Sequence, residues 1–141
     1  FSRHPITGND AEVYMELATG MGETLASASI RGMPYRATFN RVSGAVQFLS
    51  YASFGHALRP DAEAVSQLTL EAVDYTREPL TRDPAFRSMI AKRLGLVAVF
   101  LESQLGGQPQ DIEGVICSSR GQPPAIHIVQ ARPMVLYQSS S

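Results

Sequence analysis

The chain reads as an α+β fold, a mixed and mainly antiparallel sheet with one long covering helix. Three observations carry that expectation. Phe86, Ile90, Leu94, Val97, Leu101 and Leu105 recur at steps of three and four, the spacing of a helix face. Around EVYMELA and the run 33–40, apolar residues instead alternate at the period of two that marks half-buried strands, and 45–51 is a second apolar run. The third is QDIEGVICSSRGQPPAIHIVQARP, residues 110 to 133, two apolar runs about a Gly/Pro turn, which reads as a hairpin.

After the turn-forming PITGND, Val13, Met15 and Leu17 alternate with Glu12, Tyr14 and Glu16, which predicts a strand with the three apolar residues inward. It runs into Gly20-Met21-Gly22-Glu23, a turn whose glycines permit positive φ and close backbone approach. Met33 to Asn40, the turn NRVSG and Ala45 to Tyr51 make an antiparallel hairpin. Gly55, Pro60 and Asp61 punctuate residues 52 to 66, which read as a loop, and Leu68 to Tyr75 follows as a strand closed by TREP. Asp83 is placed to cap the long helix, with Pro84 at the first helical position and Gly106-Gly107 ending it. Its stripe is a packing face, not a cofactor box, and Met21, Met33 and Met89 are likewise expected to pack. No internal repeat, no low-complexity segment beyond the terminal SSS and no Pro/Gly/Ser linker divides the chain, so 1–141 is expected to be one domain.

The 44% hydrophobic content is enough to bury a core. Twelve basic and 13 acidic residues leave a net charge of −1 without a basic run, so nucleic acid is not expected as a partner. No apolar run is long enough to span a bilayer, and the N-terminus lacks the order of a signal peptide, so no membrane is expected either. Cys117 stands alone, which excludes an intrachain disulfide; it is expected to be a buried structural thiol in a reducing compartment. The chain opens at Phe1 without an initiator methionine, and the expectation is a fragment of something larger.

The hairpin carries polar residues at spacing two. Asp111, Glu113 and Val115 share one face of the first strand, opposite Ile112, Gly114 and Ile116. On the return strand Ile128, Gln130 and Arg132 share a face, opposite His127, Val129 and Ala131. A turn centred near Gly121 sets Asp111 across from Arg132 and Glu113 across from Gln130. Spacing leaves two readings open. One is a solvated sheet face whose exposed ion pair contributes little. The other is a polyphosphate and metal site, because carboxylate and amide oxygens suit Mg²⁺ and a guanidinium grips phosphate bidentately.

QDIEG and IVQARP, taken with MELATGMGETLAS and FSRHPITG, resemble the nucleotide-binding domain of the dikinase family: pyruvate phosphate dikinase, phosphoenolpyruvate synthase and the glucan water dikinases. The order of motifs matches across nearly the whole chain. RGMPYR, VDYTREPLTRDPAFR and RLGLVAVFLESQLGGQPQDIEG resemble in particular the C-terminal region of the phosphoglucan water dikinases, and Gly114 is similar to the glucan enzymes where pyruvate-type enzymes carry an aromatic. The resemblance implies the C-terminal part of an ATP-grasp fold. It implies a phosphotransferase using ATP and Mg²⁺: the β-phosphate goes to a histidine of another domain in the same chain and on to a prephosphorylated α-glucan such as starch, the γ-phosphate to water.

Carried over residue by residue, Glu113 and Gln130 match the metal-associated positions and Arg132 the catalytic arginine on the phosphates. Asp111 matches the acidic position ahead of them, there to orient Arg132 or approach a second metal. Gly20, Gly22 and Glu23 match the glycine turn near the nucleotide, although a strand-ending turn also needs glycines for steric reasons. Arg3, in FSRHPITG, is placed to reach a phosphate. His4 and His127 are not the phosphocarrier, which in the glucan dikinases lies in an upstream domain. The lysine-bearing lobe that completes an ATP-grasp cleft would precede Phe1, so the chain by itself is expected to be inactive. Plastid localisation is implied for a plant or green alga, and the cytoplasm where starch is stored outside plastids. Other readings are a glucan water dikinase acting on unphosphorylated starch, a pyruvate-type dikinase, and a non-catalytic carbohydrate-binding or interaction module. The absence of tryptophan counts against the last.

Overall fold

In the computed structural model, which describes residues 1–26, 30–64, 66–119 and 121–135, the long helix α3 runs Pro84–Gln104. Asp83 Oδ1 accepts the Phe86 N–H at 2.9 Å, and Pro84 opens the helix where its missing N–H costs nothing. At the far end Gly106 takes φ +85° and the Gly107 N–H donates to the Glu102 carbonyl at 2.8 Å, a Schellman closure. The buried track, however, is rotated from the apolar stripe. Phe86, Leu94, Val97 and Leu101 are half-buried and Leu105 is exposed, whereas Ile90, Ala91, Gly95, Ala98 and Glu102 are buried. The cause is Phe39: a Cβ on Gly95 would strike its ring, so the helix is approached over its smallest residues.

The remaining elements are β1 (Glu12–Leu17), α1 (Glu23–Ala26), β2 (Tyr35–Asn40), β3 (Val46–Ser50), β4 (His56–Pro60), β5 (Leu68–Ala72), a 3-10 turn (Tyr75–Arg77), α2 (Pro79–Arg82), β6 (Gln110–Cys117) and β7 (Ala125–Pro133). They form a three-stranded sheet in the order β1-β2-β3 and two antiparallel pairs, β4-β5 and β6-β7. The α+β class holds. NRVSG is a turn as expected, with Asn40 Oδ1 accepting the Val42 and Ser43 N–H groups.

The supposed loop 52–66 instead contains β4, paired from His56↔Ala72 to Pro60↔Leu68. In a two-stranded sheet every strand is an edge, so Pro60 at the strand's end interrupts no central ladder. The strand expected to reach Tyr75 stops at Ala72, because Asp74 accepts the Thr76 N–H at 3.0 Å and turns the chain into the 3-10 segment. Tyr14, expected outward, is buried; its ring lies 5.0 Å from that of His4. Met21 and Met33, expected to pack, are exposed. The terminal SSS lies outside the described residues.

Contacts divide the chain into two compact units, Phe1–Met15 with Thr38–Gln47 and Ile90–Ser141, and Glu16–Ala37 with Phe48–Met89. The first is built on Val13, Phe39, Ile90, Ala91 and Ala98. In the second, Tyr35, Ala52, Phe54 and Tyr75 form a cluster packed by Leu17, Ile30, Phe48, Val73 and Leu80. Its phenols keep polar partners: Tyr75 Oη accepts the Thr19 N–H at 2.9 Å, and Tyr35 Oη bonds Thr81 Oγ1 at 2.6 Å.

Candidate functional site

The β6–β7 hairpin takes the expected register over its polar half, Asp111↔Arg132 and Glu113↔Gln130. Opposite residues of an antiparallel pair share a face, so all of these side chains project from one side of the hairpin. Arg132 donates Nε and Nη2 to Asp111 Oδ2 at 3.0 and 2.8 Å. That hydrogen bonding, then the Asp111 charge and more weakly that of Glu113, hold the guanidinium above its ordinary value against a small opposing effect of burial. Arg132 nevertheless stays 60% exposed while Asp111 is 20% exposed, so the acid anchors the base of a cation that still faces solvent.

Beyond Glu113 the register shifts to Gly114↔Ile128, which makes Val129 the extra residue of a β-bulge. The bulge needs a glycine opposite: a Cβ on Gly114 would lie 2.6 Å from the His127 carbonyl oxygen. Gly114 therefore has a steric reason in this hairpin itself. The shift also overturns the expected placement of His127. Val115 now faces His127, so the imidazole stands on the same side as Asp111, Glu113, Gln130 and Arg132, while Ile128 moves to the side of Gly114. Burial agrees, since Ile112, Ile116, Ile126 and Ala131 are half-buried, whereas Val115 and His127 are exposed. Cys117, expected to be buried, is free and exposed at the end of β6, on the outward side opposite Ala125.

Gly20, Gly22 and Glu23 belong to the other unit. Gly20 takes φ +96°, and a Cβ there would lie 2.7 Å from the Leu58 carbonyl oxygen, so its glycine is a requirement of packing on β4. Gly22 is different: a Cβ would meet nothing within 4 Å. Glu23 is exposed and opens α1.

Arg3 lies in the hairpin's unit but is engaged, pairing with Asp10 and reaching Glu102 Oε1 at 3.4 Å. Glu102 is the centre of a buried polar cluster that sequence reading misses. Arg41 donates Nη1 and Nη2 to its two oxygens at 3.1 and 3.2 Å, and Ser2 Oγ donates to Oε2. Ser2 Oγ in turn accepts the Gln110 N–H at 2.8 Å, which fixes the start of β6. The available signal was position: Glu102 continues the small-residue track Ala91, Gly95, Ala98. His4 is a structural histidine, its Nδ1 accepting the Ile6 and Thr7 N–H groups at 3.3 Å.

Among the described residues no three His, Cys, Asp or Glu side chains gather as a closed metal cage. The cross-strand pair Glu113/Gln130 offers hard oxygen donors on an exposed face, a set that fits Mg²⁺ completed by water and phosphate oxygens. No helix among the described residues is long and apolar enough to cross a membrane.

The geometry thus defines a class of surface: hard oxygen donors beside an anchored, forked cation on an antiparallel hairpin. Among the relatives that match are alpha-glucan water dikinases. The chain is 30% identical over 159 residues to alpha-glucan water dikinase 2 of Arabidopsis thaliana, covering 95% of this chain and 12% of that protein. It is 26% identical to the chloroplastic alpha-glucan water dikinase of Solanum tuberosum, covering 94% and 10%, and 25% identical to the chloroplastic alpha-glucan water dikinase 1 of Arabidopsis thaliana, covering 94% and 11%. The chain thus spans 10 to 12% of the length of these curated relatives. No family model matches the chain, and no solved structure does.

Proposed function

We propose that this chain is the ATP- and Mg²⁺-binding part of a water dikinase of α-glucans, the C-terminal portion of an ATP-grasp domain. The carrying observation is the single outward face shared by Asp111, Glu113, Gln130 and Arg132. Similarity to dikinases along 94 to 95% of the chain supports the reading, and the chloroplastic names of two of them support a plastid setting. In the proposed reaction ATP gives its β-phosphate to a histidine of another domain, which passes it to a hydroxyl of a prephosphorylated α-glucan; water takes the γ-phosphate, and AMP and inorganic phosphate leave.

Such a displacement needs positioning and charge neutralisation more than a covalent partner. Glu113 and Gln130 would hold Mg²⁺, which when bound neutralises phosphate charge. Arg132 would be the catalytic residue on the phosphates: Asp111 occupies Nε and Nη2 and leaves Nη1 to donate outward. Arg3, with its carboxylate partners, would hold the fold rather than phosphate.

A second reading follows the relatives' names, which say alpha-glucan water dikinase; on that reading the acceptor would be unphosphorylated glucan. In the full-length protein, β-labelled ATP should label histidine in the wild type, and Glu113→Ala or Arg132→Ala should reduce that labelling at least tenfold. Unchanged labelling in both variants removes the site assignment. Supplying prephosphorylated and unphosphorylated glucan to the labelled enzyme separates the two acceptors, and transfer to pyruvate would exclude both.

A further inference from the structure

The bulge at Val129 places a pair beside the polar quartet that uniform alternation would have split. Along the outward face, rows run Asp111/Arg132, Glu113/Gln130, then Val115/His127. The first carries a cation, the second oxygen donors, the third an apolar side chain 43% exposed beside an exposed imidazole. At roughly 3.4 Å per residue the third row lies about 13–14 Å from the first. That is the order of an extended nucleotide's length, and the chemistry changes along it in the same sense, from charged phosphate to flat, largely apolar base. Resting on the proposed nucleotide reading, we propose that Val115 and His127 form the nucleoside end of the site, so that the nucleotide lies along the hairpin with its terminal phosphates at Arg132.

Val115 supplies an apolar wall for one edge of the base, and the His127 ring supplies a flat surface with an N–H able to reach a ribose hydroxyl. The placement depends on Gly114, since a side chain there would strike the His127 carbonyl and displace the return strand. Uniform pairing would put Ile128 in the third row and turn the imidazole away.

The test uses the full-length protein and three probes, each with Mg²⁺: ATP, AMP and inorganic tripolyphosphate, their affinities measured by calorimetry. His127→Ala should weaken ATP and AMP about five- to tenfold and leave tripolyphosphate unchanged. Arg132→Ala should weaken ATP and tripolyphosphate and spare AMP. His127→Gln, which keeps an N–H donor without the ring, should restore part of the loss. If Arg132→Ala and Glu113→Ala weaken ATP while His127→Ala changes nothing, this inference fails and the proposed function stands. If His127→Ala weakens tripolyphosphate and spares AMP, the orientation is overturned. If none of the variants alters any probe, the nucleotide reading itself is lost.

Discussion

At the scale of the residue, Glu102 is the most consequential side chain outside the candidate site. Its side chain is 8% exposed within a helix, where burial alone would push a carboxylic acid upward. Hydrogen bonds from Arg41 and Ser2 and the charges of Arg41 and Arg3 outweigh that burial and hold its carboxyl below the ordinary value. A depressed folded value fixes the sign of the linkage: the stabilisation is complete above the unfolded glutamate range, near pH 4.3, and is lost as pH falls from there toward the folded value. Glu102→Gln should therefore lower stability at neutral pH by about 2–4 kcal/mol, because both guanidiniums lose their shared anion. Its denaturation midpoint should also fall less steeply below about pH 4 than the wild type's. A parallel acid limb in the two proteins would assign the loss to another carboxylate.

At the scale of the element, helix α3 shows what spacing reveals and what it hides. Its ends were legible, because Asp83, Pro84 and Gly106 each act through local backbone chemistry. Its buried track is not, because spacing marks the stripe of large residues as the inner face whereas the Phe39 ring requires the smallest ones there. Gly95→Ala should accordingly destabilise by about 1–3 kcal/mol despite alanine's higher helix propensity, as read by urea midpoints. Phe39→Leu should relieve part of that cost; an additive pair would deny the contact. The hairpin divides the same way. Its polar register followed from the turn and the period of two, but in IHIV apolar residues fall on both parities, so nothing in the pattern marks where Val129 breaks step. Strand β4 was hidden by Gly55 and Pro60, which punctuate loops in general but here bracket an edge strand.

At the scale of the whole molecule, the charge balance makes the proposed ligand a local problem. With a net charge of −1 and no basic run, the chain offers no broad field to a polyanion, so binding must rest on a few groups and the accompanying metal. The hairpin is largely exposed on its outward face, so its backbone is expected to open locally rather than with the core. A ligand that binds the closed hairpin suppresses that opening in proportion to 1 + [L]/Kd, about 100-fold or 2.7 kcal/mol at a hundred times Kd. In the full-length protein, Mg²⁺ with ATP should slow hydrogen exchange across residues 110–133 toward that extent, and a chelator should abolish the effect. Glu113→Ala should shift the Mg²⁺ concentration needed for protection upward, because a hard cation deprived of one of the two protein oxygens proposed for it would be held mainly by the phosphates. Protection that survives both the chelator and the substitution would show ATP bound without Glu113 and Gln130, leaving Arg132 and its Asp111 anchor as the whole of the phosphate site.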